Sequence, residues 1–164
     1  MTLIYARKTQ EWVIIAGDKR VTDGNSYSDT YDKLVRKWEY VIACSGSLVV
    51  STIIKSINEV IDIDDIKTLY NLAKVIRKEC DELKLQDKDV SWRVIVASAN
   101  TIAVIDDECS VEYLDRAIIW SGEDYSLYVV ENWYSSKDIF KYVASKTHTV
   151  SSKYTEIMLK KDSL

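Results

Sequence analysis

The chemistry open to this chain is narrowed first by what it carries sparingly. His148 is the one histidine, so any Ser-His-Asp or Cys-His arrangement would have to be built on it. A lone histidine reads as a surface or helix-end residue, and a hydrolase built here is expected to take its base from a group other than imidazole. Cys44, Cys80 and Cys109 are far apart and form no C-x-x-C pair, which argues against a zinc site. An odd number of thiols without a secretion signal fits reduced, structural cysteines.

The rest of the composition sets the class. The 164 residues suit one domain, 1–164, and a chain of this size buries about 68–70% of its unfolded surface, so it needs no staples. The 22 basic and 26 acidic residues leave a net charge of −4 with no block of like charge, which argues against nucleic acid or a membrane surface as partner. No apolar run approaches a membrane span, and the start Met1-Thr2-Leu3-Ile4 lacks a signal-peptide layout. A cytoplasmic protein is the expectation. With no proline and only four glycines, loops should be short.

Any such chemistry must be positioned by the elements that the hydrophobic pattern marks out. Thr2–Lys8 and Glu11–Gly17 read as strands joined by a tight turn at Thr9-Gln10. Tyr40–Cys44 is a short apolar run ending at Ser45-Gly46-Ser47. Helical spacing follows from Leu48 to Ile61, with Ser47 as N-cap, and again from Ile66 to about Leu85. Strands are expected at Trp92–Ala97, Ile102–Asp106, Val111–Leu114 and Ala117–Trp120. Helices are expected from Glu123 to about Trp133, and from the capping box Ser135-x-x-Asp138 to about Lys146. Tyr154–Leu159 closes the chain as a strand. Strands, two helices, strands, two helices and a strand fit an α+β fold, a four-layer αββα sandwich of two antiparallel sheets.

Five pieces in order then resemble a known family. They are Thr2-Leu3-Ile4, the run from Ala16-Gly17-Asp18-Lys19-Arg20 to Asn25, Asp32-Lys33-Leu34, Ile42-Ala43-Cys44-Ser45-Gly46-Ser47, and Ala117-Ile118-Ile119-Trp120-Ser121-Gly122-Glu123-Asp124-Tyr125. Together they resemble the N-terminal-nucleophile hydrolases of the proteasome β-subunit and HslV kind, over residues 2–58 and 91–127.

The resemblance implies roles residue by residue. Thr2 matches the nucleophile, whose own α-amine serves as base once Met1 is removed, as expected when a residue as small as threonine follows. Asp18 matches the buried carboxylate beside it, and Lys33 the ammonium that keeps the amine usable. Gly46 matches the residue whose N–H binds the oxyanion, and Ser121 the serine that completes the hydrogen-bond network. Val21, Cys44 and Leu48 would line the specificity pocket as an apolar slot. Lys33 lies one position nearer Asp18 than the family usually has it, and Gly46 one nearer Lys33.

Around residues 145–152 the chain lacks the acidic residue of proteasome subunits. It resembles HslV there, which implies a backbone cation site near Ser145, His148 and Ser151; no cofactor is expected. The implied function is a self-compartmentalising threonine peptidase subunit that cleaves peptides or unfolded proteins after apolar residues. It would be a homo-oligomer served by an ATPase regulator, and five Trp and eleven Tyr would suit its subunit contacts. The alternative is a homologue without catalysis that acts as a binding or assembly module.

Overall fold

A computed structural model describes residues 2–23, 26–83, 91–120 and 135–161. Strand β1 (Leu3–Lys8) and strand β2 (Trp12–Asp18) pair antiparallel, as their alternating apolar residues require. The turn between them is one residue longer than expected. Thr9 closes it from both ends, its N–H donating to the Trp12 carbonyl at 2.8 Å and its hydroxyl accepting from Trp12 N at 3.0 Å. Strand β10 (Arg116–Trp120) flanks β1, and β11 (Tyr154–Lys160) flanks β2, giving the order β10-β1-β2-β11.

The second sheet runs β5 (Leu34–Lys37), β6 (Tyr40–Ser45), β7 (Arg93–Ser98), β8 (Ile102–Asp106), β9 (Val111–Tyr113), every pair antiparallel. A separate ribbon joins β3 (Val21–Asp23) and β4 (Ser26–Ser28).

Period-two alternation builds the layers. Ile4, Ala6, Val13 and Ile15 of the first sheet meet Val41, Ala43, Ile95 and Ala97 of the second in a shared core. The opposite face of the second sheet, with Ile42, Val94, Val96 and Ile105, packs against helices α1 (Leu48–Ser56) and α2 (Ile66–Glu82). The opposite face of the first sheet, with Leu3, Tyr5 and Ala16, takes Ile139, Phe140 and Val143 of α3 (Ser136–Lys146). This is the α+β sandwich of two antiparallel sheets between helices. The helix expected from Glu123 to about Trp133 lies outside the described residues.

Two expectations need correction. The helix expected to reach Ile61 stops at Ser56, because Lys37 Nζ donates to the carbonyls of Lys55 and Ile57, and Tyr40 Oη donates to that of Glu59 at 2.9 Å. These tertiary caps satisfy carbonyls that another helical turn would have used. Ile61 and Ile63 are still buried, but in an extended segment. The apolar spacing Leu48, Val49, Thr52, Ile53, Ile57 predicts one buried stripe for this helix, but the buried residues are Val50, Ser51, Ile53 and Ile54, while Leu48 is 50% exposed.

Candidate active site

The site begins at the end of β2. Ile4 stands opposite Gly17, so Asp18 comes beside Leu3 at the start of β1. The Asp18 side chain is fully buried and gathers donors from four segments. Oδ1 accepts from Leu3 N at 2.8 Å and from Lys33 Nζ at 2.7 Å; Oδ2 accepts from Arg20 N at 3.0 Å and, at a long 3.5 Å, from Ser151 N. A buried carboxylate survives only when paired and hydrogen-bonded in this way. Leu34 pairs with Ala43 in the second sheet, which brings Lys33 from just before β5 across the gap between the sheets. Lys33 is 5% exposed, so the single-residue shortening between it and Asp18 has not turned it to solvent.

Above this pair lies a cleft of about 310 Å³. Thr2, Lys33 and Gly46 line it, and Val21, Cys44 and Leu48 line it too. Its remaining wall is polar, with Arg20, Thr22, Tyr31, Ser47 and Ser51, so the lining is mixed where an apolar slot was expected. Ser47 caps α1 by accepting from Val49 N at 3.2 Å, which fixes the turn that carries Gly46. Burial pushes the Lys33 ammonium below its usual range, against the pull of the Asp18 carboxylate in the other direction. Burial likewise pushes the Cys44 thiol up to about 11, so it is a neutral wall residue rather than a thiolate nucleophile.

Gly46 is required by geometry. Its φ is +128°, and a Cβ there would sit 3.0 Å from the Ser91 carbonyl oxygen and 3.1 Å from Trp92 Cβ. Gly46→Ala should cost about 1–3 kcal/mol of stability, read as a lower urea midpoint. A second expectation concerns pH. Since Lys33 in the folded protein titrates below the ordinary 10.5, the unfolded chain holds more protons between that lowered value and 10.5. Stability from this residue therefore rises with pH across that window and is lost as pH falls through the folded value. Urea midpoints of wild type and Lys33→Met should diverge in favour of wild type as pH climbs towards 10.5.

The loop after α3 closes one side. Arg20 forks onto Asp29, with Nε to Oδ1 at 2.7 Å and Nη2 to Oδ2 at 2.9 Å, and its Nη1 donates to the His148 carbonyl. The hydrogen bonds from Arg20 hold the Asp29 carboxyl below the usual carboxylate range. A positive charge already stands at the His148 oxygen, so a cation ligated there would have the guanidinium as a neighbour. Ser145 belongs to the last turn of α3, its hydroxyl donating to the Tyr142 carbonyl at 2.6 Å, and Ser151 turns its N–H to Asp18. Ser121 lies outside the described residues.

No protein-family model and no curated protein matches the chain. Solved structures do match. BPH of Thiobacillus denitrificans, solved in complex with epoxomicin, superposes with a TM-score of 0.80 at 16% identity over 99% of this chain and 100% of that one. HslV of Trypanosoma brucei gives 0.66 at 16% identity over 96% and 99% of the two chains. The chain has the proteasome β-subunit/HslV-type fold. Anbu, the ancestral β-subunit of Yersinia bercovieri, gives 0.70 at 12% identity over 96% of this chain and 81% of that one. At these identities the likeness is one of fold, and what this HslV-type fold does here rests on its own residues.

Tyr31 and Ser51 line the cleft and Asp29 holds Arg20 at its edge, and the motifs marked none of the three. Ser51 is a polar residue on the buried face of α1, which the helical spacing of the apolar residues did not include. Asp29 and Tyr31 lie in an irregular segment, where no periodicity points to them.

Proposed function

We propose that this chain is a threonine peptidase with Thr2 as its amino-terminal nucleophile. The observation that carries the reading is the buried Asp18–Lys33 pair at the base of a cleft that Lys33 lines together with Thr2 and Gly46. A buried ion pair is costly to maintain and adds little to stability over an apolar pair, so its place beneath a cleft favours a chemical use. Once Thr2 is the chain terminus, its α-amine accepts the proton of its own hydroxyl, directly or through water. The Lys33 charge disfavours the ammonium form of that amine and keeps it a base near neutral pH. Oγ then attacks the scissile carbonyl, and the Gly46 N–H donates to the oxyanion, worth about 2.7–4 kcal/mol in the transition state. Collapse passes the proton held by the α-ammonium to the leaving amine, expels it and leaves an ester on Thr2, which water hydrolyses with the restored amine as base.

The substrate is an extended peptide whose P1 side chain meets Val21 and Leu48. Self-association belongs to the same reading. Ile66, Tyr70 and Val75 of α2 are large apolar side chains left exposed, and would suit a contact between copies, with an ATPase supplying unfolded chains. Among the described residues no helix is long and apolar enough to cross a membrane. The test is a fluorogenic peptide panel on protein whose intact mass shows Thr2 as first residue, beside protein that retains Met1. Turnover by the first alone supports the peptidase. No turnover by either, with or without an ATPase, would leave the binding-module reading.

A further inference from the structure

The polar side of the cleft has a direction, and the direction selects a ligand. Lys55 Nζ lies 2.8 Å from Tyr31 Oη and 4.1 Å from the centre of the Tyr31 ring. Tyr31 Oη lies in turn 2.6 Å from Ser51 Oγ. An ammonium only donates, so Tyr31 oxygen accepts from Lys55. Its own O–H is then free to donate to Ser51 Oγ, and the Ser51 hydroxyl is left to donate onward. Hydrogen bonds in such a chain polarise one another, and here a cation stands at the head. Ser51 is only 4% exposed, and both it and Tyr31 line the cleft. Its onward neighbour is the Cys44 thiol, a neutral sulfur and a weak acceptor. A better acceptor brought into the cleft would take the Ser51 proton donor for itself.

We propose that Lys55, Tyr31 and Ser51 form a hydrogen-bond relay that makes the cleft select a P1 side chain ending in a carbonyl or carboxylate oxygen, as in glutamine or glutamate. This rests on the peptidase reading for the meaning of P1, and refines the apolar slot. The two methylenes of such a side chain would lie along Val21 and Leu48, with the oxygen reaching Ser51 Oγ. A leucine there fills the apolar part but leaves the Ser51 donor with only the thiol. Buried polar groups left without a good partner are what discriminate most strongly between similar ligands.

The test measures binding and turnover separately. Acetylated tetrapeptides that differ only in a C-terminal Gln, Glu or Leu are titrated into Thr2-terminal protein by calorimetry. The Gln and Glu peptides should bind about tenfold tighter than the Leu peptide. Tyr31→Phe keeps the ring beneath Lys55 and removes only the hydroxyl; it should cut that advantage below about threefold, read as the ratio of Gln to Leu affinities within the same variant. Ser51→Ala should do the same. Equal binding of all three peptides, a preference that survives both substitutions, or no binding of any peptide would overturn the relay. Hydrolysis of the matching fluorogenic peptides is followed in parallel. Preference in binding without any turnover would sink the peptidase reading and leave the relay standing.

Discussion

Thr2→Ala should take peptide hydrolysis from measurable to background, a loss of at least about 10³-fold, with the stability read from urea unfolding within about 1 kcal/mol of wild type. Thr2→Ala keeps the α-amine and removes the hydroxyl that it deprotonates, so the effect is as large as the loss of the nucleophile, provided no other hydroxyl of the cleft can take its place. Ser47 Oγ is engaged in capping α1, and Ser51 Oγ sits at the end of the Tyr31 relay. Cys44 is held as a neutral thiol by burial. Thr2→Ser, which retains both hydroxyl and amine, should keep turnover within about tenfold of wild type and so separates chemistry from packing. Equal rates for wild type and Thr2→Ala would mean either a contaminating peptidase or a nucleophile elsewhere.

The second large effect is on stability. Asp18→Asn should destabilise the protein by about 3–5 kcal/mol, because it leaves the Lys33 ammonium buried without a counter-charge. The amide is nearly the same size, but one of its two ends now donates. That end must face either Leu3 N and Lys33 Nζ or Arg20 N, all donors themselves. At about 2–4 °C per kcal/mol for a chain of this length, thermal unfolding should fall by roughly 6–20 °C. Lys33→Met should cost less, since an unbranched apolar side chain fills the space and Asp18 keeps its backbone donors from Leu3 and Arg20. The Lys33→Met variant should nonetheless lose turnover, which distinguishes the chemical role of the ammonium from a packing role. If Asp18→Asn melted within 1–2 °C of wild type, the pair would not be as buried as its 5% and 0% exposures state.

Much of this arrangement was legible in the sequence, for reasons that can be named. Strands β1, β2, β6, β7 and β8 carry apolar residues on both faces and stand between polar turns. The stripe Leu69, Leu72, Ala73, Ile76 and Cys80 of α2 is buried as its spacing demands. Strands β3, β4 and β5 were not foreseen. They are three or four residues long and mostly polar, too short for a period-two pattern to show, although each pairs with a neighbour in sequence. The end of α1 was misplaced because Lys37 and Tyr40, from another layer, supply its caps. In the site, Thr2, Asp18, Lys33 and Gly46 could be picked out by their order among the family-like pieces. The Lys55–Tyr31–Ser51 chain could not, since it joins an irregular segment to a helix face through side-chain hydroxyls that leave no periodic mark.

The central claim is that the Thr2 hydroxyl carries the acyl group during turnover. It is tested most directly by mixing Thr2-terminal protein with an activated ester of a short peptide acid, quenching in acid within the first turnover, and measuring intact and fragment masses. The account predicts a gain of one acyl group that fragmentation places on residue 2, absent from Thr2→Ala and from protein bearing Met1. An acyl group on Cys44 or on Ser51, or turnover with no adduct at residue 2, would contradict it.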